Sequence, residues 1–250
     1  MYIYIDGKKI SAKDGESILE VANRNEIYIP TLCHHEALDD VGACRVCMVE
    51  ITHKDWGGWR NLVTACLYPV EEGLVISTSS EAVRRSRGTT LDLLMARCPT
   101  SDVIRWMAEE NGEISVRYEQ IDDGSKCIMC SLCVRACERM GCNAIGTVGR
   151  GHDKKIAPPF FENTENCIGC GACAAICPTG HIEVNDTRTT REIWEKKFNF
   201  VACEVCGEPV LTEEYRDYAI ANRDLAPDYY TTCSACKKKK LASHFDKVGS

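Results

Sequence analysis

Eighteen cysteines in a chain of 250 residues fall into groups spaced like metal ligands. The densest stretch holds CIMCSLCVRAC at 127 to 137 and CIGCGACAAICP at 167 to 178, two copies of C-x2-C-x2-C-x3-C. This doubled pattern matches the one that holds a pair of [4Fe-4S] clusters, in which the fourth cysteine of each run ligates the other run's cluster. The expected ligation is therefore crossed. Cys127, Cys130, Cys133 and Cys177 take one cluster, and Cys167, Cys170, Cys173 and Cys137 take the other. Structural zinc is the poorer reading, because tetrahedral zinc sites are typically built from paired C-x2-C knuckles. The chemistry such clusters support is the passage of single electrons.

Two further groups flank this stretch. Cys33, Cys44, Cys47 and Cys66 form C-x10-C-x2-C-x18-C. Four thiolates suit a [2Fe-2S] rhomb, whose two tetrahedral irons take two each, although the plant-type C-x4-C-x2-C spacing is absent and zinc or disulfides remain alternatives. Toward the other end, Cys203 and Cys206 are followed after a 26-residue interval by Cys233 and Cys236. Paired knuckles of this kind make Zn2+ the default ion, fastening a module with little core of its own, with a fourth iron-sulfur cluster as the rival. Two cysteines are surplus: Cys98 and Cys142 are expected to be structural and not ligands.

The remaining composition narrows the class. No run of 18 apolar residues occurs, so no transmembrane segment is expected, and MYIYIDGKKI carries no apolar signal segment. Together with cysteines grouped for metals, this points to a reducing, cytoplasmic setting. With 30 basic against 37 acidic residues the formal charge is -7, which argues against nucleic acid as a partner. There is no dinucleotide fingerprint, Walker loop or nucleophilic triad, so no catalytic residue is expected on this chain.

The elements that must position these ligands are legible in outline. YIYIDGKKISA reads as a hairpin with an Asp-Gly turn, followed by a helix over roughly 17 to 26 with Ile18, Val21 and Ala22 on one face. A strand at Leu74 to Ser77 leads into SSEAVRRSRGTTLDLLMARCP, a helix with a serine N-cap, expected to be interrupted near Gly88 and buried along Leu91, Leu94 and Met95. Arg84, Arg85 and Arg87 read as a solvated face, and DVIRWMAEEN as a short amphipathic helix. Trp56 and Trp59 are either an exposed contact or aromatic cover. Phe160 and Phe161 read as core or a hydrophobic lid. His34, His35 and His181 read as surface loop histidines. REIWEKKFNFVA is open between strand and helix. TEEYRDYAIANRD is a helix with Tyr215, Ala219 and Asn222 along one side, and Lys237 to Lys240 form a basic run suited to an acidic partner or to a solvated tail.

IPTLCHHEALDDVGACRVCMVE followed by TACLYPVEEGLVI resembles the N-terminal ferredoxin domain of the large iron-sulfur subunit of respiratory NADH dehydrogenase, and the small diaphorase subunit of soluble NAD-linked hydrogenases. The resemblance implies a β-grasp fold and a [2Fe-2S] cluster on Cys33, Cys44, Cys47 and Cys66. CVRACERMGCNAIGTVGRG is similar to the tandem ferredoxin module of the same electron-input proteins. In that family a histidine and three cysteines between the two modules hold a further [4Fe-4S] cluster. Here Cys98 stands at the histidine's place and no further cysteine follows before the tandem motifs, so no cluster is expected there.

The expected fold is α+β, in four parts: a [2Fe-2S] β-grasp domain over 1–80, a helical linker over 81–117, a 2×[4Fe-4S] ferredoxin domain over 118–190, and a four-cysteine ribbon or treble clef over 191–250. The expected function is electron relay within a hetero-oligomeric NAD-linked oxidoreductase. The resemblance implies a flavin/NAD(H)-binding subunit on one side and a hydrogenase or formate dehydrogenase catalytic subunit on the other, with ferredoxin a further partner if the complex bifurcates electrons. The alternatives are a subunit of another reductase, acting on an acyl thioester or a quinone, or a non-enzymatic cluster-stabilised interaction protein.

Overall fold

The computed structural model describes residues 1–112, 117–121 and 124–245; the end of the expected linker, 113–116, lies outside them. The chain divides into two compact units, Met1–Leu132 with Cys177–His181, and Cys133–Ile176 with Ile182–Ser250.

In the first unit β1 (Tyr2–Ile5) and β2 (Lys8–Ser11) form the expected hairpin. Asp6 and Gly7 at its turn both have positive φ, 47° and 80°, as a two-residue turn matched to strand twist requires. Helix α1 (Ile18–Arg24) begins at a capping box in which Ser17 Oγ accepts from Glu20 N and the Glu20 carboxylate accepts from Ser17 N. β3 (Met48–Thr52), β4 (Arg60–Thr64) and β5 (Val75–Ser77) complete a sheet of order β2-β1-β5-β3-β4, in which only the β1–β5 pair is parallel. Ile18, Val21 and Ala22 of α1 share one buried core with Ile3, Ile5, Ile51 and Ile76 of the sheet. A mixed sheet holding one helix in this way is the β-grasp arrangement.

Helix α2 (Glu81–Arg97) is capped by Ser80, whose Oγ accepts from Val83 N. It runs unbroken through Gly88, against the expected interruption. A mid-helix glycine costs about 1 kcal/mol, and here it has a compensating use. A Cβ on Gly88 would lie 3.3 Å from Asn111 Nδ2, and that amide donates to the Arg84 carbonyl at 3.1 Å. Asn111 caps α3 (Asp102–Glu110), so the missing side chain lets the two helices close on each other. Arg87 is a second correction. It is buried, and its guanidinium donates to the carbonyls of Val46, Met48 and Thr78. Cys98 is buried at the end of α2, where its N–H donates to the Leu94 carbonyl.

The second unit opens with α4 (Leu132–Arg139), which begins at the unit boundary, and the hairpin of β6 (Gly146–Val148) and β7 (Lys155–Ala157). Phe160 and Phe161 follow in a short 3-10 turn and are 87% and 64% exposed, so neither is core. After α5 (Ala172–Ala175) come β8 (Asn185–Asp186), β9 (Thr190–Ile193), β10 (Lys196–Ala202) and β11 (Pro209–Thr212), an antiparallel sheet of order β11-β10-β9-β8. REIWEKKFNFVA is thus a hairpin, centred on the fully buried Phe198. Helix α6 (Glu213–Asn222) buries Ala219; Asn222 leaves the expected stack and donates from its exposed side chain to the Tyr218 carbonyl. Helix α7 (Ser234–Phe245) carries the basic run. No helix among the described residues is long and apolar enough to cross a membrane.

Candidate metal centres

Cys33 and Cys44 lie on the loop between α1 and β3, Cys47 immediately precedes β3, and Cys66 follows β4. All four are buried, and they come together as two pairs. Cys44 N donates to Cys33 Sγ at 3.4 Å, and the Sγ atoms of Cys47 and Cys66 are 3.6 Å apart. Hydrogen bonding within each pair pushes one thiol up (Cys33, Cys66) and its partner down (Cys44, Cys47). Two thiolate pairs are what a two-iron rhomb needs. The carbonyls that Arg87 grips flank Cys47 on either side, which ties α2 to the ligand loop and brings a positive charge near it. His34 Nδ1 is 2.9 Å from an Asp40 carboxylate oxygen, and His35 Nδ1 accepts from Ala37 N, so both histidines staple the loop. Trp56 packs against the β-grasp core and meets Trp59, itself 57% exposed, edge to face.

The first unit also holds Cys127, Cys130 and Cys177. The Cys177 thiol acts electrostatically on both of the others. Burial pushes Cys127 up, and pushes Cys130 up to about 11; coordination by iron would reverse this, since a metal-bound thiol is deprotonated outright. Arg97 Nε donates to the Cys127 carbonyl at 3.0 Å. His181 fastens the returning segment: its N–H donates to Cys177 Sγ and its Nδ1 accepts from Lys126 N. The Cys33 thiol adds a small electrostatic push in the same direction on Cys130.

In the second unit Cys133 and Cys137 stand one turn apart on α4. Cys137, Cys167, Cys170 and Cys173 line one cavity, together with Ile193 and Trp194. Cys137 Sγ accepts from Ala144 N at 3.1 Å. Gly169, with φ +65°, lies against Phe198, where an added Cβ would be 2.7 Å from the ring. The ligand loop is braced from the β9–β10 hairpin and from α6. Thr212 Oγ1 donates to the Ile168 carbonyl at 2.5 Å, Lys196 Nζ to those of Thr164 and Cys167, and Arg191 to that of Gly169. Tyr218 OH donates to the Met140 carbonyl at 2.7 Å. Cys142 lines the same cavity, with its Sγ 4.0 Å from the Met140 carbonyl.

Near the end of the chain the Sγ atoms of Cys203, Cys206, Cys233 and Cys236 all lie within 4.8 Å of one another, and those of Cys206 and Cys233 are 3.7 Å apart. Cys233 N donates to Cys203 Sγ at 3.3 Å, which leads the causes that draw Cys203 down to about 6. At a Zn–S length of about 2.3 Å the edge of a regular tetrahedron is about 3.8 Å. Four sulfurs this close suit a single ion; the thiolates of a cubane sit on four different irons and stand further apart.

All four groups offer sulfur as their ligand, and the donor chemistry fits iron-sulfur clusters and zinc. The structure also adds residues the sequence had not singled out for these centres: Arg87 at the first, and Arg191, Trp194 and Lys196 at the cavity. Their only sequence signal is that the hairpin begins a short distance after the last tandem cysteine.

Comparison with known proteins agrees with this geometry. Residues 1–81 match the family described as 2Fe-2S iron-sulfur cluster binding domain, and residues 126–181 the 4Fe-4S dicluster domain. The chain is 34% identical over 224 residues to the NADP-reducing hydrogenase subunit HndD of Solidesulfovibrio fructosivorans, covering 77% of this chain and 37% of that one. It is 35% identical over 227 residues to the NADPH-Fe(3+) oxidoreductase subunit alpha of Geobacter sulfurreducens, covering 81% and 26%. It thus spans about a quarter to a little over a third of these curated relatives. Among solved structures, a chain of the NAD+-reducing [NiFe]-hydrogenase in the H2-reduced state superposes with a TM-score of 0.54 at 26% identity, over 63% of this chain and 74% of that one. The chain is therefore an iron-sulfur protein that joins a [2Fe-2S] cluster binding domain to a [4Fe-4S] dicluster domain, and it is homologous to subunits of NAD(P)-linked hydrogenases and oxidoreductases.

Proposed function

We propose that this chain relays single electrons through one [2Fe-2S] and two [4Fe-4S] clusters, as a subunit of a cytoplasmic NAD(P)-linked oxidoreductase. Cys33 and Cys44 hold one iron of the rhomb and Cys47 and Cys66 the other. Cys127, Cys130, Cys133 and Cys177 hold the first cubane, and Cys137, Cys167, Cys170 and Cys173 the second. When bound, the clusters supply one-electron redox chemistry; the protein buries their ligands and braces the ligand loops. The observation that carries this reading is the gathering of Cys33, Cys44, Cys47 and Cys66 as two buried pairs and of Cys137, Cys167, Cys170 and Cys173 around one cavity, which supports two separate cluster sites within the matched domains. Zinc is the reading for Cys203, Cys206, Cys233 and Cys236, supported by the closeness of their four sulfurs.

The relatives' names include both hydrogenase and NADPH oxidoreductase subunits, so a flavin/NAD(H) subunit is the expected donor or acceptor on one side. A hydrogenase or formate dehydrogenase subunit is expected on the other, with ferredoxin as a third partner if the complex bifurcates. Anaerobic purification with metal analysis tests the inventory. Roughly ten irons and one zinc per chain are expected, and roughly fourteen irons without zinc would move the last site to a fourth cluster. Reductive titration followed by EPR tests the relay: three centres should reduce and reoxidise reversibly, and centres that do not cycle would leave only a structural role.

A further inference from the structure

The β9–β10 hairpin lies outside the segment that matches the dicluster family, yet its tip lines the cavity of the second tandem motif. Trp194 and Glu195 are the two turn residues, between the paired Ile193 and Lys196. Both have positive φ, 54° and 59°, a conformation that Asn and Gly adopt readily in such turns and that a bulky side chain adopts only with strain. Four hydrogen bonds hold the hairpin against the segment from Asn163 to Gly169. Asn163 Nδ2 donates to the Glu195 carbonyl at 3.2 Å, and Lys196 Nζ donates to the carbonyls of Thr164 and Cys167 at 3.0 and 3.1 Å. Arg191 donates to the Gly169 carbonyl at 3.0 Å and is ion-paired with Asp186 at 2.7 Å.

The indole Nε1–H of Trp194 is buried, with no hydrogen-bond partner among the described residues that meets ordinary geometry. A buried N–H without an acceptor is costly, and the side chain here lines a cavity together with Cys137, Cys142, Cys167, Cys170 and Cys173. Arg191 and Lys196 bring their positive charges to the backbone of the same loop through their bonds to the Gly169, Thr164 and Cys167 carbonyls.

We infer that Trp194 donates its Nε1–H to the sulfur shell of the second [4Fe-4S] cluster, and that the β9–β10 hairpin, with Arg191 and Lys196 at its flanks, sets that cluster's reduction potential. This rests on the ligand assignment of Cys137, Cys167, Cys170 and Cys173 proposed above. The direction follows from charge. Reduction adds an electron to an already anionic centre, so a donor hydrogen bond and nearby cations stabilise the reduced form and raise the potential. Asp186 offsets part of the Arg191 charge, which leaves Trp194 as the most direct contributor. It acts as a positioning and tuning residue and ligates nothing.

The test compares the full-length, cluster-loaded chain with Trp194→Phe, which keeps an aromatic ring and removes the N–H. Under redox titration followed by EPR, the midpoint of one [4Fe-4S] centre should fall. If the bond is worth about tenfold in the reduction equilibrium, the fall is about 59 mV for one electron. The other cubane, the rhomb and the iron content should stay as in the wild type. Three unchanged midpoints with full iron content would overturn the tuning role. A second measurement does not depend on how the variant folds: wild-type chain labelled with 15N-tryptophan should show an indole 15N coupling to a reduced [4Fe-4S] centre, and its absence would overturn the hydrogen bond. A wild-type chain with only one [4Fe-4S] signal would instead overturn the ligand assignment itself.

Discussion

Thr212 is where the C-terminal region bears most directly on a ligand loop, and replacing it by valine isolates that contact. Its hydroxyl is buried, accepts from Tyr215 N at 3.3 Å as the N-cap of α6, and donates to the Ile168 carbonyl at 2.5 Å. Ile168 sits between Cys167 and Cys170. Valine keeps the shape and removes both bonds. Loss of an N-cap costs about 1 kcal/mol, and a buried carbonyl left without its donor costs about 1 to 3 kcal/mol more. The sum is about 2 to 4 kcal/mol, which at 1.4 kcal/mol per decade is roughly 30-fold to several hundredfold in the population of opened loop. Iron release to an excess of chelator, measured anaerobically under conditions where opening precedes capture, should accelerate by that factor for four of the ten expected irons and leave the rest at the wild-type rate. Thr212→Ser, which keeps the hydroxyl, should restore most of the difference. Release from Thr212→Val at the wild-type rate would refute the idea that α6 braces the second cubane.

Three further outcomes follow from contacts already described. Arg87→Met removes three hydrogen bonds from a buried guanidinium and should cost about 3 to 4 kcal/mol, read as a lower thermal midpoint accompanied by early loss of the [2Fe-2S] signal; an unchanged midpoint would return Arg87 to the solvated face. Cys206→Ser should lower zinc from one per chain toward none with iron unchanged, and a loss of iron in its place would assign the C-terminal site to a cluster. Cys142→Ala should keep the full iron count and cost only about 1 kcal/mol, as expected for a small buried non-ligand side chain; loss of a [4Fe-4S] signal would make it a ligand.

The grouping of the cysteines was legible in the sequence because metal-binding spacing is set by local chain geometry, and cysteines three apart declare themselves without reference to the rest of the fold. The Asp-Gly turn was legible for the same reason. What surrounds the ligands was not, because it depends on tertiary contacts. Arg87 shares a short basic stretch with the exposed Arg84 and Arg85, and nothing local distinguishes the one that turns inward to three carbonyls. Gly88 looked like a helix break on propensity alone, and the approach of Asn111 gives it a place in an unbroken helix. Phe160 and Phe161 looked like core from their chemistry, yet their turn holds both outward. Trp194 was the least legible of all, since a Trp-Glu pair is a poor candidate for a two-residue hairpin turn.

The central claim is that the clusters form a path, and the spin relaxation of the [2Fe-2S] centre tests it most directly. On that path the reduced rhomb and the reduced first cubane should be magnetic neighbours. In a stepwise reductive titration of the full-length chain, the [2Fe-2S] EPR signal should relax markedly faster once that cubane takes up its electron. A rhomb signal whose relaxation stays the same from partial to full reduction would contradict the path.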